Sequence, residues 1–144
     1  MIIKFLFLKI LMLMIASSNV FISRVIDGDT LQDSRGNRIR LLGVDCPEMP
    51  NQCYARESKE YTINKVEREL VFLTYEDNKI QLDPYGRILA WVYYRNSTKL
   101  LNKDLIRDGY GISYRKYPTS KLTELNMVEI EAKNKNLGIW RYCK

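Results

Sequence analysis

The stretch VIDGDTL, Val25 through Leu31, sets two carboxylates on either side of a glycine in a chain whose formal net charge is +6. A D-G pair is a hairpin signal, so Asp27 and Asp29 can be read as turn formers. They can also be read as the start of an acid group, because Asp45 and Glu48 follow in RLLGVDCPE. If the first three strands form a meander, their ends meet at one rim. Unpaired, Asp29, Asp45 and Glu48 would repel one another and raise their pKa values. A hard divalent cation would relieve that repulsion. Two carboxylates, a backbone carbonyl and several waters suit Ca²⁺, which accepts irregular oxygen shells.

Cationic side chains accompany the acids. In an unbroken strand Arg40 and Asp45 would face opposite sides, so both reach one cleft only if the strand bends. Gly43 is where a bulge is tolerated, and Pro47 then ends the ladder and presents Glu48 beyond it. The bland alternative makes Arg40 an exposed strand cation and Glu48 a loop acid. Further on, Asp83-Pro84-Tyr85-Gly86 is a turn signal with Arg87 at the mouth of the next strand. A hydroxyl and a guanidinium fork there could hold a phosphate, although for this segment alone plain turn chemistry with a surface arginine is the stronger reading.

Several chemistries are excluded. The chain has no histidine, which removes Ser-His-Asp and Cys-His triads and two-histidine phosphodiester cleavage. No Walker-type loop and no G-x-G-x-x-G occurs. The three cysteines, Cys46, Cys53 and Cys143, make a poor zinc set without histidine. They allow one disulfide and a free thiol, with Cys53–Cys143 and Cys46–Cys53 both open.

The elements that must position these residues begin with a β-rich half. Val20 to Ile26 alternates, Thr30 to Gln32 follows the D-G turn, and Arg38 to Val44 makes a third strand after the turn at 33–37. A helix is expected from about Tyr54 to Glu69, with Ser58, Tyr61, Thr62 and Val66 inward. LVFLTYE and RILAWVYY read as two more strands. A short helix in LLNKDLIRDG is expected to be capped by Asn102 and closed by Gly109, and a last helix runs from about Thr119 to Asn136. Five strands with a helix after the third give an α+β domain with a mainly β core: a five-stranded OB-fold barrel with about three helices.

The sequence is 144 residues long, 46% hydrophobic and 11% aromatic, with ten tyrosines, which indicates a single globular domain with faces on which bases can stack. A pI near 9.2 points to an anionic partner, most simply nucleic acid. Residues 1–18 have the layout of a secretory signal peptide, with Ala16 and Ser18 small enough for the cleavage positions. The expectation is a domain at 19–144, monomeric and secreted or periplasmic. The alternative is a membrane anchor through 1–18.

Taken in order, VIDGDTL, RIRLLGVDCPE, DPYGRILAWVY, LIRDGYG and LGIW resemble the thermonuclease family, over Val20 to Trp140. The resemblance implies an OB barrel that cuts DNA and RNA with Ca²⁺, shows little sequence specificity and releases 3′-phosphate ends. It implies that Asp29 and Asp45 are carboxylate ligands of the ion and that the Cys46 carbonyl is a third, where the family commonly has threonine. Glu48 matches the general base, Arg40 and Arg87 the phosphate-binding arginines, and Tyr85 a nucleotide contact, with Tyr114 or Tyr117 as a second. The competing expectation is a non-catalytic OB-fold that binds single-stranded nucleic acid.

Overall fold

The computed structural model describes residues 17–144; all but the last two residues of the expected signal peptide therefore lie outside the described residues. The long strand β1 (Ser17–Asp27) feeds two partners. Its first half pairs antiparallel with β5 (Leu70–Thr74) and its second half with β2 (Thr30–Asp33). β2 pairs with β3 (Arg38–Leu41), and β3 pairs in parallel with β6 (Ile88–Tyr94). Because β6 also pairs with β5, the order β1-β2-β3-β6-β5 closes on itself. This is the five-stranded OB-fold barrel, and closure leaves these strands without a free edge.

The alternation read from the sequence is what fills the barrel. Val25, Leu31 and Ile39 are directly paired across three strands and are 1%, 0% and 0% exposed. Helix α1 (Ala55–Val66) buries Ala55, Ser58, Thr62 and Val66, one face at helical spacing, with Tyr61 half-buried beside it. Helix α2 (Leu101–Arg107) follows β7 (Lys99–Leu100) directly and sends Leu101, Leu105 and Ile106 into the core. Helix α3 (Leu122–Asn134) covers the far side with Leu125, Val128 and Ala132 buried, and a short α4 (Ile139–Tyr142) ends the chain.

Two departures from the sequence reading concern the site. The third strand does not run to Val44. It stops at Leu41, turns through Gly43 at φ 72, and resumes as β4 (Val44–Asp45), which pairs instead with β8 (Ile112–Ser113). A Cβ on Gly43 would lie 2.5 Å from Leu125 and 3.1 Å from Trp91, so the turn needs glycine for space as well as for φ. The second departure is Asn102, which does not cap α2. It lies inside the helix, completely buried. Its Nδ2 donates to the Leu42 and Ala90 carbonyls at 2.8 and 3.1 Å, and its Oδ1 accepts from the Val92 N–H at 2.9 Å. Satisfying the barrel outweighs satisfying the helix end, since these groups have no water to turn to.

Of the two cysteine pairings left open, the structure has Cys53–Cys143, 90 residues apart with Cα atoms at 5.8 Å. Beside it Tyr54 stacks on both Tyr110 and Tyr142 at 5.5 and 5.7 Å between ring centroids. Cys46 is a buried free thiol. Asn102→Leu should lower stability by about 3 kcal/mol, because at least two buried backbone groups lose their partners. Urea unfolding of the variant and the wild type measures this directly.

Candidate active site

The β1–β2 turn is built so that Asp29 enters the protein. Thr62 of α1 donates its hydroxyl to the Gly28 carbonyl at 2.7 Å, and a Cβ on Gly28 would meet Ser58 and Cys46 at 3.0–3.1 Å. With the helix pressed so closely behind the turn, Asp29 is only 5% exposed. One carboxylate oxygen accepts from the Thr30 hydroxyl at 3.1 Å and the other from the Cys46 N–H at 2.7 Å. Burial pushes the Asp29 carboxyl above its usual range, and neighbouring Asp45 adds to that; Arg40 and the Cys46 N–H offset it only in part.

Arg40 joins the pieces. Its Nη1 donates to the Leu41 and Val44 carbonyls, each at 2.7 Å, and thereby closes the Gly43 turn. Its Nη2 sits 3.3 Å from Asp29 and 3.3 Å from Asp45. The bend at Gly43 therefore does bring Arg40 and Asp45 to one side, by a change of sheet rather than a bulge. Asp45 keeps an open side chain, 43% exposed, against 8% for Asp29. Tyr114 lies against the guanidinium, 5.7 Å from its ring centroid, and Tyr117 packs on Tyr114 at 5.9 Å. Tyr114 is fixed because its neighbours Ser113 and Arg115 both bond buried Glu129.

Glu48 stands apart. It is exposed on the segment after Pro47, and among the described residues no three acids or cysteines are grouped closely enough to hold a metal ion. The segment is nonetheless tied to the site, because the Met49 N–H donates to Asp27 at 3.3 Å. Asp27 thus does more than shape a turn: it holds the backbone next to Glu48. Gln52 accepts from the Glu48 N–H at 2.8 Å.

Arg87 comes from the neighbouring strand. Arg40 pairs with Leu89 across the parallel β3–β6 ladder, so Arg87 lies on the same face, two residues back. Strand geometry puts the two arginine Cα atoms roughly 8 Å apart. Asp83 holds Arg87 by its Nε at 2.6 Å and accepts the backbone N–H of Tyr85 and Arg87 at 2.9 and 3.0 Å. Although partial burial opposes it, these bonds keep the Asp83 carboxyl below its usual range. The Arg87 guanidinium lies 5.3 Å from the Tyr85 ring centroid, and Tyr85 is 83% exposed. Sequence reading placed Asp83 in a turn and gave it no partner; the four-residue interval to Arg87 was the available signal.

A barrel of this closure, with carboxylates and arginines on one outer face, has relatives among known proteins. The family model described as staphylococcal nuclease homologue matches residues 38–142. The thermonuclease of Staphylococcus intermedius is 31% identical over 135 residues, covering 88% of this chain and 78% of that protein. An uncharacterized endonuclease of Escherichia coli is 37% identical over 120 residues, covering 81% and 73%. Endonuclease YncB of Bacillus subtilis is 33% identical over 137 residues, covering 85% of this chain and 61% of its own. The chain belongs to the staphylococcal nuclease family.

The raised carboxyl at Asp29 fixes a pH dependence. The folded protein holds this proton more tightly than the unfolded chain, so ionising Asp29 lowers stability as pH rises above its ordinary value of 3.8. In the presence of chelator, Asp29→Asn should therefore raise the thermal midpoint at pH 7. The gain should vanish below pH 3.8, where both folded and unfolded chains hold the proton. Calorimetry across pH measures it.

Proposed function

We propose that this protein is a Ca²⁺-dependent endonuclease that hydrolyses phosphodiester bonds in DNA and RNA with little sequence specificity and leaves 3′-phosphate ends. The observation that carries this reading is the Arg40 guanidinium bridging buried Asp29 and open Asp45, with Arg87 on the same barrel face. The donor set fits a hard divalent cation. Asp29 is an anion kept in a desolvated place with only partial compensation, and oxygen ligands from Asp29, Asp45 and the Cys46 carbonyl are what Ca²⁺ prefers. When bound, the ion supplies positive charge at the reacting phosphate and acidifies a nearby water.

The chain's own residues supply the rest. Arg40 and Arg87 neutralise the phosphodiester as a fifth oxygen approaches phosphorus, the setting in which preorganised donors act most strongly. Glu48 takes the proton from the attacking water as the new P–O bond forms. The bond from phosphorus to the 5′ oxygen breaks, and that oxygen leaves with a proton drawn from solvent. Tyr85, Tyr114 and Tyr117 offer faces and hydroxyls to the flanking nucleotides. Asp83 is a positioning residue for Arg87, because it fixes Nε and leaves the two terminal nitrogens to the phosphate.

Export from the cytoplasm is part of the proposal, supported by the Cys53–Cys143 disulfide and the apolar start of the chain. Among the described residues no helix is long and apolar enough to cross a membrane. A zymogram on DNA and on RNA, run on supernatant and cell fractions, should show clearing with Ca²⁺ and none with chelator. Tight binding without cleavage would instead favour the non-catalytic OB-fold. Glu48→Gln should keep Ca²⁺ affinity and lose about 10²–10⁴ in kcat. Asp29→Ala should weaken Ca²⁺ affinity itself, and titration calorimetry that failed to separate the two variants would refute this division of roles.

A further inference from the structure

The strand register places a second row of cations beside the site. Arg24 of β1 pairs with Gln32 of β2, and Gln32 pairs with Arg38 of β3. Ile39 pairs with Ile88, so Arg87 stands opposite Arg38 one position earlier. Directly opposed residues share a face. The adjacent row, Val25, Leu31, Ile39 and Ile88, points into the barrel, so the row Arg24, Gln32, Arg38 and Arg87 lies on its outer surface. One step further along the same face is the row Asp27, Thr30, Arg40 and Leu89, which belongs to the active site. The two rows run side by side, roughly 7 Å apart.

Arg24 and Arg38 are exposed. Among the described residues neither side chain takes part in a hydrogen bond, an ion pair or a ring contact. The nearest acids by register are already engaged. Asp33 is turned into its own loop, where the N–H groups of Arg35 and Asn37 each donate to it at 2.9 Å, and Asp83 is bound to Arg87. Three arginines therefore share a row across four strands, only one of them paired. Strand spacing puts Arg24 about 10 Å from Arg38, and Arg38 about 5 Å from the position of Arg87.

We propose that this row is an extended binding track for the phosphodiester backbone of a single-stranded nucleic acid, which leaves the reacting phosphate at Arg87 and crosses the barrel over Arg38 and Gln32 to Arg24. It rests on the nuclease reading and adds to it where the rest of the substrate lies. The contacts are to phosphate alone, so the track grips any sequence. Unpaired guanidiniums on a polar strand face need no rearrangement to meet a polyanion.

The test measures binding without turnover. Fluorescence anisotropy of a labelled oligothymidylate of about 16 nucleotides, the upper end for one OB fold, is followed in chelator while salt is raised from about 50 to about 200 mM. The double variant Arg24→Gln/Arg38→Gln should flatten the slope of log affinity against log salt by about 1.4, at about 0.7 per lost phosphate contact. The wild-type advantage should then shrink about sevenfold across that range. Arg24→Lys/Arg38→Lys should keep most of the slope, which separates lost charge from lost folding. Lys99→Gln/Lys135→Gln, which removes the same charge elsewhere, should leave the slope unchanged. An unaltered slope in the Arg24→Gln/Arg38→Gln variant, or an equal fall in the lysine control, would overturn the track. Failure of the nuclease reading shows separately, as a zymogram without clearing while the slope still depends on the two arginines.

Discussion

A buried carboxylate has to be answered by donors, and Asp29 sets that demand at the centre of this molecule. Its partners arrive from three places: the hydroxyl next to it in β2, a guanidinium from β3, and a backbone N–H just past β4. None can shift far without leaving an anion in a low-dielectric pocket. The helix behind the turn, the glycines that let it approach, and the change of sheet at Gly43 all serve to bring these donors to one point. Much of the local architecture follows from one charge being where charge is costly.

The compensation is also incomplete, and there the structure turns toward chemistry. Arg40 divides its terminal nitrogens between two backbone carbonyls and two acids, which holds the guanidinium rigidly while compensating buried Asp29 only in part. Arg87 is held in another way, by one acid that grips it from the side. Two cations, fixed by unrelated means on adjacent strands, end on one face. Such preorganisation lets a site act on an incoming anion without reorganising itself.

What could be read from sequence followed physical regularity. The long strands announced themselves by alternation, and α1 by its spacing of small and polar inward residues. The family was legible because its short motifs recur in order along the whole chain, not because any single turn was distinctive. The misses have reasons. β4, β7 and β8 are two residues each, too short for any periodicity. Asn102 has the chemistry of a cap and the position of a stitch, and only the burial of Leu42, Ala90 and Val92 around it decides between them. Cysteine pairing depended on where α4 delivers the chain end, which no local pattern reveals.

The Cys53–Cys143 bond divides the chain by connectivity as well as by contact. Residues 53–143 form a covalent ring that carries Tyr85, Arg87 and Tyr114; residues 17–52 form an open arm that carries Asp29, Arg40, Asp45 and Glu48. The barrel is closed only because arm and ring are zipped together along β1–β5, β3–β6 and β4–β8. Arg40 and Arg87 sit on opposite sides of that seam. An opening of the seam separates them while the ring stays whole, so the geometry of the candidate site reports on the zipper between two topologically unequal halves rather than on the integrity of either one.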